Sequence, residues 1–149
     1  MPQIYLSDVI DSPLETVWSV LRPFDKIDLY FNEIVKVELV EGVSGTEVGC
    51  VRRCYRADGS TRDEKLLMLS DTDHIADYAV MDSPDLPATN VNGRVRAYPI
   101  TESIRQTFIE WSLSFEPRSD TPDNTVETIE GLFRSCIAGV KSACRSRAK

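Results

Sequence analysis

Residues 49 to 67 read GCVRRCYRADGSTRDEKLL. Two arms of strand-forming composition flank the turn residues Asp58-Gly59, so the segment reads as a β-hairpin. Each arm also carries charge in its middle: Arg52 and Arg53 on one, Asp63, Glu64 and Lys65 on the other. Two registers fit. A two-residue turn at Asp58-Gly59 sets Ala57 against Ser60, Arg52 against Lys65 and Arg53 against Glu64. A three-residue loop with Gly59 left-handed sets Arg56 against Ser60 and Arg52 against Glu64. A one-residue slip inverts every facing along a strand, so the choice decides which side chains point inward. The second register joins opposite charges across the strands and is preferred for that reason. It also groups Val48, Cys50, Arg52 and Cys54 with Glu64, Leu66 and Met68, a face that is apolar except for one base and one acid.

An inward Arg–Glu pair is costly, because desolvation takes several kcal/mol per ion. A solid core gains little from it. A cavity filled with water or a ligand keeps the ions solvated and lets them meet a substrate. The competing reading is a cross-strand salt bridge on the outer face.

The same alternation continues on both sides of the hairpin. Residues 4–11, IYLSDVID, read as a first strand, and further strands are predicted at about 34–42, 47–57, 61–70, 75–82, 91–100 and 103–116. Thr107, Ile109, Trp111, Leu113 and Phe115 share one face, the buried one. Ser12-Pro13-Leu14-Glu15 reads as a helix start with Ser12 as the cap. Leu14, Val17, Trp18 and Leu21 then form one apolar stripe, and Pro23 stops the helix. Residues 24–31 read as a second, short helix. After the loop PRSDTPDN, residues 124–147 form one long helix with the stripe Val126, Ile129, Leu132, Phe133, Cys136, Ile137, Val140 and Cys144. Gly131 and Gly139 interrupt it and suggest close packing. The fold class is α+β: a seven-stranded antiparallel sheet that must curl, with the long helix plugging its concave face.

The chain of 149 residues suits one domain spanning 1–149. Its net charge of −7 argues against nucleic acid or an anionic membrane as partner. Lys141, Arg145, Arg147 and Lys149 read as a solvated, basic end of the last helix. No run of 18 apolar residues occurs, so no membrane span is expected. MPQIYLSDVI lacks the features of a secretion signal, which predicts a cytoplasmic protein with reduced thiols. Cys50, Cys54, Cys136 and Cys144 form no C-x-x-C, and His74 is the lone histidine, so neither metal nor cofactor is expected. His74, among Asp71, Asp73 and Asp77, reads as a surface residue at a turn.

Three stretches carry a resemblance: VELVEGVSG with VGCVR (37–52), DEKLL (63–67) and FIEWSLSFEP (108–117). With SPLETVWSVLRPFDKIDLYF before them and DLPATN and YPITESIRQT between, they resemble the SRPBCC, or START-like, helix-grip superfamily, the polyketide cyclase/dehydrase type, over nearly the whole chain. Within it the chain looks similar to the branch that includes lachrymatory factor synthase and relatives of the abscisic-acid receptors. The resemblance implies a Bet v 1/START-like helix-grip fold with Arg52 and Glu64 pointing into a cavity, where in the synthase the matching pair is catalytic. The branch usually has a Trp-Pro near the cavity mouth, where this chain has Tyr30-Phe31. It often has a tyrosine after the asparagine of the sixth strand, where this chain has Asn90-Val91. The receptor gate is not evident in ADGST, so a phosphatase-regulating receptor is not implied.

The resulting expectation is a lyase, cyclase or isomerase without cofactor, acting on a small apolar molecule with a polar or acidic head. Glu64 is the expected general base and acid, and Arg52 the oxyanion or carboxylate holder. Tyr30, Cys50, Leu66, Met68, Tyr78, Val80, Val91, Ile109, Trp111 and Phe133 are the expected ligand-binding wall. The alternative is a small-molecule or lipid carrier that only binds. The expected partner is a small hydrophobic or amphipathic molecule, and the expected state a monomer or homodimer.

Overall fold

Every alternating segment joins a single sheet. The computed structural model describes residues 3–84 and 86–147. β1 (Gln3–Ile10) leads to α1 (Leu14–Leu21) and a 3-10 segment (Phe24–Leu29). Six strands follow: β2 (Ile34–Glu41), β3 (Val51–Arg56), β4 (Thr61–Ser70), β5 (Ile75–Val80), β6 (Ala88–Pro99) and β7 (Thr107–Pro117). The long helix α2 (Thr125–Arg147) ends the chain's described structure. The seven strands are antiparallel, in the order β1-β7-β6-β5-β4-β3-β2. Register shifts interrupt the β2–β3, β4–β5 and β6–β7 pairings. Each adds twist and bends its strand, so the sheet curls instead of lying flat.

α2 lies against this concave side. Its buried residues Phe133, Cys136, Ile137, Val140 and Cys144 recur at helical spacing. They share one core cluster with Ile109, Trp111, Leu113 and Phe115 of β7, the Phe133 ring lying 5.6 Å from that of Trp111. Gly139 explains itself: a Cβ there would collide with the backbone carbonyl of Tyr30. Gly131 faces open space, so the close packing expected of both glycines holds for one. Lys141 Nζ donates to Asp8 Oδ2 at 2.7 Å, tying α2 to β1. Arg147 donates to the Ser19 hydroxyl, and Lys149 lies outside the described residues. All four cysteines are buried and free. No described helix is long and apolar enough to cross a membrane.

Several local boundaries differ from the expectation, among them β6, which starts at Ala88 rather than 91. Ser12 does not cap α1: Pro13 is the cap residue, no side chain bonds the free N–H groups, and the Ser12 side chain meets the Cys144 sulfur instead. The short helix expected at 24–31 is a 3-10 segment, kinked at Lys26, that ends at Leu29. β3 begins at Val51, not at 47, because Cys50 N donates to Glu47 O and Gly49 takes φ +96°. β7 begins at Thr107, because Ile100 to Gln106 are spent in successive turns.

Candidate functional site

The hairpin takes the three-residue loop. Gly59 has φ +88°, a conformation that costs glycine little, and Arg56 N donates to Ser60 O at 2.9 Å. Asp58 Oδ1 accepts from both the amide and the hydroxyl of Ser60, which fixes the loop. Arg52 therefore stands opposite Glu64 and Arg53 opposite Asp63. Neighbours along a strand face opposite ways, so the first pair looks inward and the second outward.

Arg52 is buried and fully braced. Its Nε and Nη2 both donate to Glu64 Oε1, at 2.8 and 2.5 Å. Its Nη1 donates to the carbonyl of Phe24 at 2.7 Å, and its guanidinium lies 3.6 Å over the Phe24 ring. The 3-10 segment thus supplies both an acceptor and an aromatic face. Burial is the largest single influence and works against the Arg52 charge, but the Glu64 carboxylate together with Cys54, Tyr30 and Tyr78 outweighs it and holds the pKa above the ordinary arginine value. Glu64 Oε2 makes no hydrogen bond with a described residue, and the Glu64 side chain is 15% exposed.

Beyond this pair opens a cavity of about 340 Å³ between the sheet and α2. Arg52, Glu64, Tyr78, Val80, Val91, Trp111 and Phe133 all line it. Tyr78 OH accepts from Trp111 Nε1 at 3.1 Å, in the gap left by its cross-strand neighbour Gly93. A Cβ at Gly93 would run into the Tyr78 ring and hydroxyl. Desolvation raises the Tyr78 pKa, so the phenol is neutral. Cys54 and Cys136 also line the cavity, and burial pushes each thiol up to about 12, so both are neutral thiols.

Five residues expected in the wall lie elsewhere. Met68 falls out of phase: Leu66 pairs with Tyr78 but Met68 with Asp77, so the extra residue Leu67 turns Met68 away from the core. Leu69 takes the core-facing place. Cys50, Leu66 and Ile109 are almost completely buried, in the part of the interior that is packed solid rather than hollow. Tyr30 is buried as well, its ring 6.0 Å from that of Trp111 and its carbonyl against Gly139. His74 sits at the β4–β5 turn, edge-on to Trp18, far from any proton-transfer arrangement.

Several lining residues went unassigned although the sequence holds their signal. Cys54 and Arg56 follow Arg52 at i+2 and i+4, and Arg62 precedes Glu64 by two, so period two places them on the same face. Leu113 follows Trp111 in the same way. Ile129, Leu132 and Cys136 belong to the α2 stripe. Among the described residues no group of three or more His, Cys, Asp or Glu is placed to hold a metal ion.

A curled antiparallel sheet gripping a long helix, with a mostly apolar hollow between them, defines the helix-grip class of small-molecule-binding proteins. Within that class the chain belongs to the polyketide cyclase/dehydrase and lipid transport family, whose pattern matches residues 1–145. Among solved structures it is similar to a protein from Nitrosospira multiformis, at 28% identity and TM-score 0.83 over 99% of both chains. It is also similar to the protein XoxI from Bacillus cereus, at 22% identity and TM-score 0.85, covering 100% of this chain and 99% of that one. Ara h 8.0201 shares the fold at 14% identity and TM-score 0.76, covering 97% and 98%.

Proposed function

We propose that the cavity is a reaction chamber in which Glu64 moves a proton and Arg52 holds Glu64 in place and steadies developing negative charge. The reaction class is a lyase, cyclase or isomerase step without cofactor, on a small apolar molecule bearing a polar or acidic head. A volume of about 340 Å³ lies at the small end of ligand pockets, which span roughly 300–1,000 Å³. The observation that carries the reading is the form of the ion pair. Two Arg52 donors converge on Glu64 Oε1, while Oε2 is left without a described partner at the edge of an apolar space. A carboxylate oxygen so placed can take a proton from bound substrate and return it. Arg52 keeps unused N–H groups after its three bonds, since a guanidinium has five donors. Tyr78 accepts from Trp111 and retains its own proton to donate.

The second reading, a carrier that binds without turnover, is favoured by the apolar character of most of the wall and by Arg52 being largely satisfied already. One experiment separates the two. Native mass spectrometry of protein from its own host identifies the retained molecule, and proton NMR in D₂O then follows exchange at its carbons. The catalytic reading expects exchange with wild type and none with Glu64→Gln, which binds as well. Exchange that survives Glu64→Gln removes Glu64 from the mechanism. Binding with no exchange in wild type leaves the carrier.

A further inference from the structure

The cavity wall has the opposite sign to the protein. The chain carries a net charge of −7, yet among the described residues the charged ones lining the cavity are three arginines, Arg52, Arg56 and Arg62, and one glutamate, Glu64. Arg52 and Glu64 neutralise each other deep inside. Arg52 already spends three of its five donors on Glu64 and the Phe24 carbonyl, and Glu64 balances its charge, so it is the weaker anchor for an incoming anion. Arg56 differs. It ends β3, two steps from Cys54 toward the loop, lines the cavity and makes no ion pair with any described residue. Its charge is felt by Asp58, whose carboxyl is held low mainly by Ser60, with Arg56 a minor contributor. Arg62, which has an interaction of its own, stands across from Cys54 on the adjacent strand. Asn124 and Thr125, at the start of α2, line the cavity too.

We propose that Arg56 anchors the anionic head of the ligand, so that an amphipathic carboxylic acid enters tail first and leaves its carboxylate beside the hairpin loop. The apolar part then runs inward past Val91, Leu113 and Trp111 toward the Arg52–Glu64 pair. This assigns the polarity of binding and the head-group class. It rests on the cavity being the ligand site and not on Glu64 doing chemistry.

The test uses the full chain with octanoate, 1-octanol and octylamine, titrated by calorimetry. Wild type is expected to bind octanoate about tenfold more tightly than 1-octanol, the worth of one charge-assisted hydrogen bond, and octylamine weakest. Arg56→Gln should abolish that preference and leave 1-octanol within about twofold of wild type, because Arg56 sits at a strand end outside the solid core. Rising salt should weaken octanoate and spare 1-octanol. Glu64→Gln distinguishes the two ends: a head at Arg56 leaves octanoate nearly unchanged, whereas a head beside a released Arg52 gains about tenfold or more. Equal binding of octanoate and 1-octanol, a preference that survives Arg56→Gln, or the large gain with Glu64→Gln each overturns the proposal while the cavity reading stands. Failure of all three probes to bind overturns both.

Discussion

Two ion pairs join β3 to β4 one residue apart, and their geometries differ in an unexpected direction. On the outer face Arg53 and Asp63 form a fork, Nε to Oδ1 at 2.8 Å and Nη2 to Oδ2 at 3.0 Å. Each carboxylate oxygen has its own donor, and both side chains are about a third exposed. On the inner face both Arg52 donors crowd onto one oxygen, although Arg52 is only 4% exposed. Physical chemistry asks for the reverse, because an ion out of water needs every lone pair satisfied. The better matched pair stands where a match is worth least. The pair that needs matching leaves an oxygen for something else. Stability alone does not favour that arrangement, and the free oxygen is what the proposed proton transfer requires.

The strongest way to break this comparison is to take one inner partner away. Arg52→Leu should cost about 3–5 kcal/mol in urea unfolding, because it strands a buried carboxylate. Combining it with Glu64→Leu should recover most of that loss while abolishing any turnover, since two apolar side chains can replace a buried pair at little net cost. A double variant no more stable than the single one would mean the pair itself holds the fold together. Next in size is Gly93→Ala, which drives a methyl into Tyr78, part of the wall that shelters the inner pair. Overpacking of this kind should cost about 1–3 kcal/mol and shift Trp111 fluorescence as its bond to Tyr78 breaks.

Smaller effects sharpen the contrast from the outside. Arg53→Ala should leave unfolding and ligand affinity close to wild type, with any difference vanishing at high salt. A large loss would show that facing is not what separates the pairs. The smallest effect concerns Asp8, whose carboxyl is held below its ordinary 3.8 mainly by the hydrogen bond from Lys141. A depressed carboxyl stabilises above its unfolded pKa and ceases to as pH falls through the folded value. The melting-temperature gap between wild type and Asp8→Asn, about 1–2 °C near neutrality, should therefore shrink as pH falls below the ordinary 3.8 and close once it passes the folded-state pKa.

What the sequence made legible follows from local rules. Opposite charges on the two arms of the hairpin, with Gly59 able to turn left-handed, were enough to select the register that the hairpin adopts. Period two carried the inward face of β7 correctly from Thr107 to Phe115. The misplacements arise where distant structure intervenes. Met68 was assigned by unbroken alternation, and the bulge at Leu67, which the sheet's curvature requires, reversed it. Ser12 had the right residue type for a cap, but the packing of α2 drew its side chain to Cys144. Tyr30, Cys50, Leu66 and Ile109 do face the interior. Whether interior means solid or hollow depends on what the 3-10 segment and the helices cover, and periodicity is silent about that.

The hollow itself has a gauge. α2 approaches the Tyr30 carbonyl so closely at Gly139 that even a methyl group has no room. The stand-off between lid and bowl is thus set by an atom that is missing, not by any side chain facing the guest. Across relatives the residue aligned with Gly139 should act as a shim: wherever it carries a Cβ, the chamber should be deeper and its occupant larger, with the lining otherwise unchanged.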